Sequence, residues 1–275
     1  MDNLSENNIF EKGQVAVLEK QLLILREKVA QQHRQILDEK KKCEDLLQNM
    51  LPDEIFRELL KNGKVVPQSY SNVTVMFTDF MDFTSMCERI ELKQLIQELD
   101  LHFSHFDDIC EKHYLEKIKT IGDAYMCAGG MPMRNRSHPF DAILAALEIL
   151  QYIDDVNAEK KRTGDYEWNL RIGIHTGPVI AGVVGKKKFL YDIWGDTVNV
   201  ANRMEEGGDS GKINISGSTF EYVKQYIDCT YRGKVPVKHK GDIDMYFVNG
   251  FLPQYSDEFD SKKPNKNFNI AVGKL

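Results

Sequence analysis

Long apolar runs are missing from this chain. No hydrophobic stretch approaches the ~18–20 residues that a membrane-spanning helix requires, and no secretory signal opens it. Cys43, Cys87, Cys110, Cys127 and Cys229 show neither CxxC pairs nor dense spacing, which argues against a disulfide framework and suits a reducing compartment. A basic surplus is absent too. The 36 Lys and Arg against 42 Asp and Glu leave a formal net charge of −6, the wrong sign for a nucleic-acid-binding face. The short run Lys186-Lys187-Lys188 reads as a solvated loop. These absences predict a soluble, cytoplasmic protein with no nucleic-acid partner and no membrane segment in this chain. Its 275 residues leave room for one sizeable domain and an appendage.

What is present begins with periodicity. Residues 1–14 are polar and are expected to be disordered. From Val15 a heptad emerges, with Val15, Leu22, Val29, Ile36, Cys43 and Met50 at one position and Leu18, Leu25 and Leu46 at the other. Gln32 and Glu39 interrupt the second position. With charged flanks, residues 15–51 read as a two-stranded coiled coil weakened in its middle, or as one long helix packed on its own domain. Polar core residues of this kind specify register or oligomeric state at a cost in stability. Pro52 stops the helix and opens a linker over residues 52–71.

Residues 72–252 carry the elements of one α+β domain. Val73, Val75 and Phe77 alternate with polar or smaller residues, the period of a strand with one buried face. Leu92, Leu95, Ile96, Leu99, Phe103, Phe106 and Cys110 then recur at helical spacing. A hairpin is expected over 115–130. A second helix starts near Pro139, with Phe140, Ile143, Leu144, Leu147, Leu150 and Ile153 facing inward. A strand–turn–strand is expected over 168–184, turning at Thr176-Gly177-Pro178. The order β-α-β-β-α-β matches the ferredoxin-like arrangement. Beyond it, 195–206 reads as a helix, 212–216 as a strand and 230–249 as a terminal hairpin. The Lys- and Asn-rich residues 253–275 are expected to form a disordered tail.

Two carboxylates stand after strand-like runs. Asp79 closes VTVMFTD (residues 73–79), and Asp123 follows KIKTIG (residues 117–122). Burying an unpaired charge costs several kcal/mol or more, so neither is a plain core residue. Each is a turn or cap residue, or each meets a cation. Two such groups can hold a pair of hard divalent ions on phosphate oxygens.

The surroundings of each Asp separate these readings. Residues 73–84 (VTVMFTDFMDFT), 117–126 (KIKTIGDAYM), 170–185 (LRIGIHTGPVIAGVVG) and 191–204 (YDIWGDTVNVANRM), in this order, closely resemble the catalytic domain of class III nucleotidyl cyclases. The resemblance covers roughly residues 66–252. Met50-Leu51-Pro52, with Ile55, Glu58 and Leu59, resembles the signalling helix preceding that domain in receptor-linked members. An upstream sensor domain would fit such an arrangement.

The resemblance implies a reaction and a set of roles. The ribose 3′-hydroxyl attacks the α-phosphate of the same nucleotide in line and expels pyrophosphate, which demands positioning and charge neutralisation. Asp79 and Asp123, with the carbonyl of Phe80, would hold two Mg²⁺ or Mn²⁺ ions. Backbone amides near Phe83 and Thr84 would cradle phosphate at a helix start. Asn199 would orient the ribose, and Arg203, one helical turn on, would meet charge at the α-phosphate. Lys238 would reach the terminal phosphates, Lys240 being the weaker choice. Arg171 is a phosphate-contacting or site-supporting arginine, or a plain strand-edge salt bridge.

Base choice follows from two further positions. Relatives acting on ATP carry Lys and Asp (or Thr) there, and those acting on GTP carry Glu and Cys; this chain has Lys119 and Asp192. A Lys donor to adenine N1 and an Asp acceptor from its 6-amino group match adenine, so the resemblance implies an adenylate cyclase. A guanylate or relaxed-specificity cyclase and a catalytically silent dimerisation partner are the alternatives. In this family the metal aspartates and base readers face each other across a dimer interface. Both sets occur on this chain, which implies a homodimer with two shared sites, its domains concentrated by the coil.

Other features read as bystanders. Gly182-Val183-Val184-Gly185-Lys186 lacks the length and Ser/Thr of a Walker A loop and reads as a β-turn. His175 reads as a packed or turn-stabilising histidine. Asp196, where Asn is frequent in animal relatives, is assigned no role. Another two-carboxylate nucleotidyltransferase on the same core would lack the YDIWG and NVANR segments.

Overall fold

A computed structural model describes residues 3–48, 50–185, 189–237 and 241–273. The chain divides into two compact units, residues 1–61 and 62–275. In the first unit α1 (Asn3–Gln48) is one continuous helix, so residues 3–14, expected to be disordered, are helical. Pro is absent from them, and the Asn, Ser and Gly residues they carry each cost no more than ~1 kcal/mol relative to Ala. Leu18, Leu22, Leu25, Val29, Ile36 and Leu46 are each half or more exposed, which leaves the heptad seam uncovered in a single chain. Pro52 interrupts the helical run. α2 (Asp53–Asn62) then opens with Asp53 and Glu54 in its first turn, where acidic groups complement the helix dipole. No helix among the described residues is long and apolar enough to cross a membrane.

The second unit is built on an eight-stranded mixed sheet. β1 (Gln68–Met81), α3 (Phe83–Cys87), α4 (Leu92–Lys112), β2 (Leu115–Ile121), β3 (Ala124–Gly129), α5 (His138–Thr163) and β4 (Asn169–Val184) contain the expected β-α-β-β-α-β core. β5 (Leu190–Trp194), α6 (Asp196–Glu206), β6 (Ile213–Ser216), α7 (Gly217–Val223), β7 (Ile227–Val237), β8 (Gly241–Phe251) and α8 (Lys266–Val272) follow. The strand order is β2-β3-β1-β4-β6-β8-β7, with β5 paired to β4 alone. β6 joins β4 in parallel, and the other pairings are antiparallel.

Alternation along β1 and β4 divides the two faces. Met76 and Phe80 on β1, with Leu170, Ile172 and Ile174 on β4, enter one core with Leu95, Phe106, Ile143 and Ile149 of α4 and α5. Phe80 lies within 4.7 Å of Trp168, ring to ring. Residues between them in sequence, including Asp79, Arg171 and Gly173, therefore point the other way. That is the side taken by α6: a Cβ built on Gly173 would stand 1.9 Å from the Glu205 nitrogen. Only a residue without a side chain lets the helix cross so close.

Three expectations fail here for identifiable reasons. The turn at Thr176-Gly177-Pro178 is absent, and β4 runs straight through it. The register places Val73 opposite Gly177 and Tyr70 opposite Val179, so a bulge on β1 falls where Pro178 has no N–H to give. The segment 182–184 likewise ends β4 instead of turning, and Gly185 leaves the strand at φ 108°; residues 186–188 lie outside the described ones. The tail over 253–275 is not disordered in its described part. Ser256 bridges to Pro264, and α8 carries Phe268, 1% exposed, against the rings of Phe140, Tyr226 and Phe251. Polar composition concealed two aromatic anchors, Phe268 and Tyr255, whose ring lies 5.0 Å from that of Tyr226.

Candidate functional site

Asp79 stands near the end of β1 with Cα partners on both sides, Ala124 of β3 and Arg171 of β4. Asp123 precedes Ala124, in the tight β2–β3 turn that Gly122 enters at φ 64°, a backbone shape glycine adopts freely. Two strand ends thus bring the carboxylates to one corner. Burial, and after it the neighbouring Asp79 charge, raise Asp123 above the ordinary carboxylate range; its own backbone N–H and Arg171 pull the other way.

Arg171 completes the corner. Its Nη2 donates to Asp79 Oδ2 at 2.9 Å, while its Nε faces the Glu205 carboxylate. Burial opposes the guanidinium charge, but Glu205 and Asp79 outweigh it and push Arg171 further up. Glu205 is 4% exposed, and burial together with the Asp79 charge raises it to about 7. One guanidinium therefore answers for three carboxylates, and the corner keeps an excess of negative charge. Among the described residues no three His, Cys, Asp or Glu side chains are arranged to cage a metal. Two carboxylates without a cage suit Mg²⁺ or Mn²⁺, whose remaining shell comes from water and phosphate oxygens. The donor set fits such ions.

Beside this corner Asp82 turns the chain at φ 63° and α3 begins at Phe83. The first-turn N–H groups of Phe83 and Thr84 have no preceding helical carbonyl to meet. The Phe80 side chain is fixed in the core, which anchors the backbone from Asp79 onward.

Lys119 and Asp192 form a second group. The register of β2 slips between Lys117 and Lys119, and Lys119 Nζ donates to Asp192 Oδ2 at 2.6 Å. Asp192, on β5, is buried, and its Oδ1 accepts from the Ile193 N–H. A donor and an acceptor separated by 73 residues in sequence are thereby placed side by side. The third group lies on α6, where Asn199 and Arg203 are exposed and Arg203 pairs with Glu206. Lys238 and Lys240 lie outside the described residues.

His175 is a packed residue, its Nδ1 2.6 Å from Ser216 Oγ. It ends a buried chain of hydrogen bonds through Ser216, Thr219, Thr176, Thr74 and His138. Asp196 is the first residue of α6. Glu205 was missed in the sequence, although a signal existed: Thr197, Ala201 and Glu205 recur at four-residue spacing on the buried face of α6. A carboxylate at such a position requires a partner.

A model of the adenylate and guanylate cyclase catalytic domain matches residues 65–250. Guanylate cyclase 32E of Drosophila melanogaster is 36% identical over 246 residues, which span 88% of this chain and 21% of that protein. The soluble guanylate cyclase subunit beta-2 of Rattus norvegicus is 38% identical over 221 residues, 80% of this chain and 32% of its own. The chain thus spans about a fifth to a third of the length of these curated relatives. The catalytic core of a rhodopsin-guanylyl cyclase with converted specificity, in complex with ATPαS, superposes with a TM-score of 0.60 at 34% identity, covering 66% of this chain and 97% of that one. Motifs, sheet topology and these likenesses agree: the chain belongs to the adenylate and guanylate cyclase catalytic domain family.

Proposed function

We propose that this chain is an adenylate cyclase that converts ATP to 3′,5′-cyclic AMP and pyrophosphate in sites shared across a homodimer. The observation that carries the base assignment is the Lys119–Asp192 pair. Lys119 Nζ donates to adenine N1, and the Asp192 carboxylate accepts from the 6-amino group. Guanine presents N1–H and O6 at these positions, and each mismatched buried group costs ~1–3 kcal/mol. The triphosphate is common to both nucleotides and cancels in the comparison, so these mismatches set the preference.

The rest of the machinery follows from the other two groups. Asp79 and Asp123 hold two divalent cations, which when bound supply Lewis acidity at the attacking hydroxyl and charge neutralisation on the phosphates. Amides at Phe83 and Thr84 cradle phosphate, and Asn199 orients the ribose. Arg203 exchanges Glu206 for the α-phosphate, where its fork matches developing charge. Lys238 serves the terminal phosphates. Exposed Ile121, Ile180, Val184, Leu190 and Trp194 around β4 and β5 support a second catalytic domain packing there, and the uncovered heptad seam supports a parallel coil.

Guanylate cyclases stand among the relatives, which favours a second reading in which GTP is the substrate. Turnover of ATP and GTP by the purified protein, each with Mg²⁺ and Mn²⁺ and with products resolved chromatographically, separates the two. Cyclic AMP formation lost in Asp79→Ala supports the proposal. Cyclic GMP as the main product overturns the roles of Lys119 and Asp192 while keeping the reaction.

A further inference from the structure

We propose that Glu205 is a positioning residue that holds Arg171 back from Asp79, so that the Asp79 carboxylate stays open to a divalent cation; this rests on reading Asp79 as a metal ligand. A guanidinium facing one carboxylate closes on both oxygens as a two-pronged fork. Arg171 does not. It reaches Asp79 Oδ2 with Nη2 alone, because its Nε edge is turned to the Glu205 carboxylate. A closed fork would cover both Asp79 oxygens and compete with the cation for the same lone pairs. Split between two carboxylates, Arg171 orients Asp79 and leaves the other oxygen accessible.

The geometry of α6 makes this arrangement stiff. Glu205 is 4% exposed, and its backbone lies against Gly173, where a Cβ would come within 1.9 Å of its nitrogen. Gly173 and Arg171 are two residues apart on β4 and share a face. The strand that carries the guanidinium therefore also fixes the helix that restrains it. Val200, Ala201 and Met204, all 0% exposed, lock the same helix from within. A plain structural ion pair would tie α6 to the sheet without affecting metal affinity, and that difference can be measured.

The experiment is Mn²⁺ binding to the nucleotide-free full chain, followed by the electron paramagnetic resonance signal of free Mn²⁺ at low ionic strength. Glu205→Gln is expected to weaken Mn²⁺ about tenfold or more, the worth of one charge-assisted hydrogen bond on Asp79. In an Arg171→Gln background the same substitution is expected to change affinity less than about threefold, since the competitor is gone. Equal losses in both backgrounds would mean that Glu205 acts only as a general negative charge, and would overturn the proposal. Glu205→Asp keeps the charge but withdraws it by one methylene, and serves if the Gln variant does not fold. A several-fold loss supports positioning, whereas wild-type affinity overturns it. Asp79→Ala controls the premise. If that variant binds Mn²⁺ as wild type does, the metal-site reading falls; if it loses Mn²⁺ while Glu205→Gln does not, only the role of Glu205 falls.

Discussion

Gly173→Ala adds one methyl group at the place where the fold has no room for it. The new Cβ would lie 1.9 Å from Glu205 N, 2.4 Å from Glu205 Cα and 2.5 Å from the Met204 carbonyl carbon. Carbon atoms rest ~3.5–4.0 Å apart, so α6 must retreat by more than ~1 Å. All three neighbours are backbone, so no rotamer change relieves the clash. Overpacking costs ~1–3 kcal/mol and occasionally more, and a rigid neighbour places this case at the upper end, about 3 kcal/mol. At ~2–4 °C per kcal/mol for a domain of this size, the melting temperature should fall by about 6–12 °C. Gly182→Ala is the control on the same strand. Its Cβ would meet Pro67 at 3.5 Å, an ordinary contact, and a change within ~0.5 kcal/mol is expected. Neither glycine has positive φ, so backbone strain does not distinguish them. Thermal denaturation followed by circular dichroism reads both. A Gly173→Ala protein melting with wild type, or a Gly182→Ala protein melting as low, would refute the close-crossing argument.

Further expectations concern specificity, symmetry, the tail and pH. Lys119→Glu combined with Asp192→Cys should lose ATP turnover by about tenfold or more and gain turnover of GTP; unchanged ATP preference sinks the base assignment. Mixing Asp79→Ala with Lys119→Ala protein should restore activity through one intact site per heterodimer, and no recovery despite demonstrated subunit exchange counts against shared sites. Phe268→Ala should cost ~3 kcal/mol or more in denaturant unfolding, because the side chain is 1% exposed among three aromatic rings; a loss under ~1 kcal/mol would show that α8 adds nothing. Burial lowers His102 and His138 to about 4, so below the ordinary value of 6.5 the unfolded chain takes up protons that the folded one refuses. Stability should therefore be lost as pH falls from 6.5 to about 4. Wild type should lose more of it than His138→Gln; parallel losses contradict a buried neutral His138.

The periodic parts of the fold were legible because each reports a local constraint. The heptad of α1, the alternation leading to Asp79 and the apolar faces of α4 and α5 follow from side-chain spacing alone. Pro178 was misread because Gly-Pro signals a turn locally, while the bulge that accommodates it lies on β1, far away in sequence. The tail was misread because Tyr255 and Phe268, set in a polar segment, find their aromatic partners only in three dimensions. The pairings of Asp79 with Arg171 and of Lys119 with Asp192 are equally non-local; the resemblance to known cyclases brought Lys119 and Asp192 together beforehand, but it named no partner for Arg171. Glu205 lay hidden next to Glu206, which is half exposed and paired with Arg203.

The place of β1 in the sheet also governs how the chain reaches its native state. Val73, Val75, Met76, Phe77 and Phe80 are each 3% exposed or less, so this strand is apolar on both sides. Synthesised before either of its neighbours, it must wait for β3 and then for β4, whose Arg171 lies 92 residues beyond Asp79. Contacts closed over such separations form slowly, and an unpaired apolar edge is the surface on which nascent chains associate wrongly. Truncations ending before β4 should for that reason accumulate as aggregates, and production of the intact chain should respond to slower synthesis or to holdase chaperones.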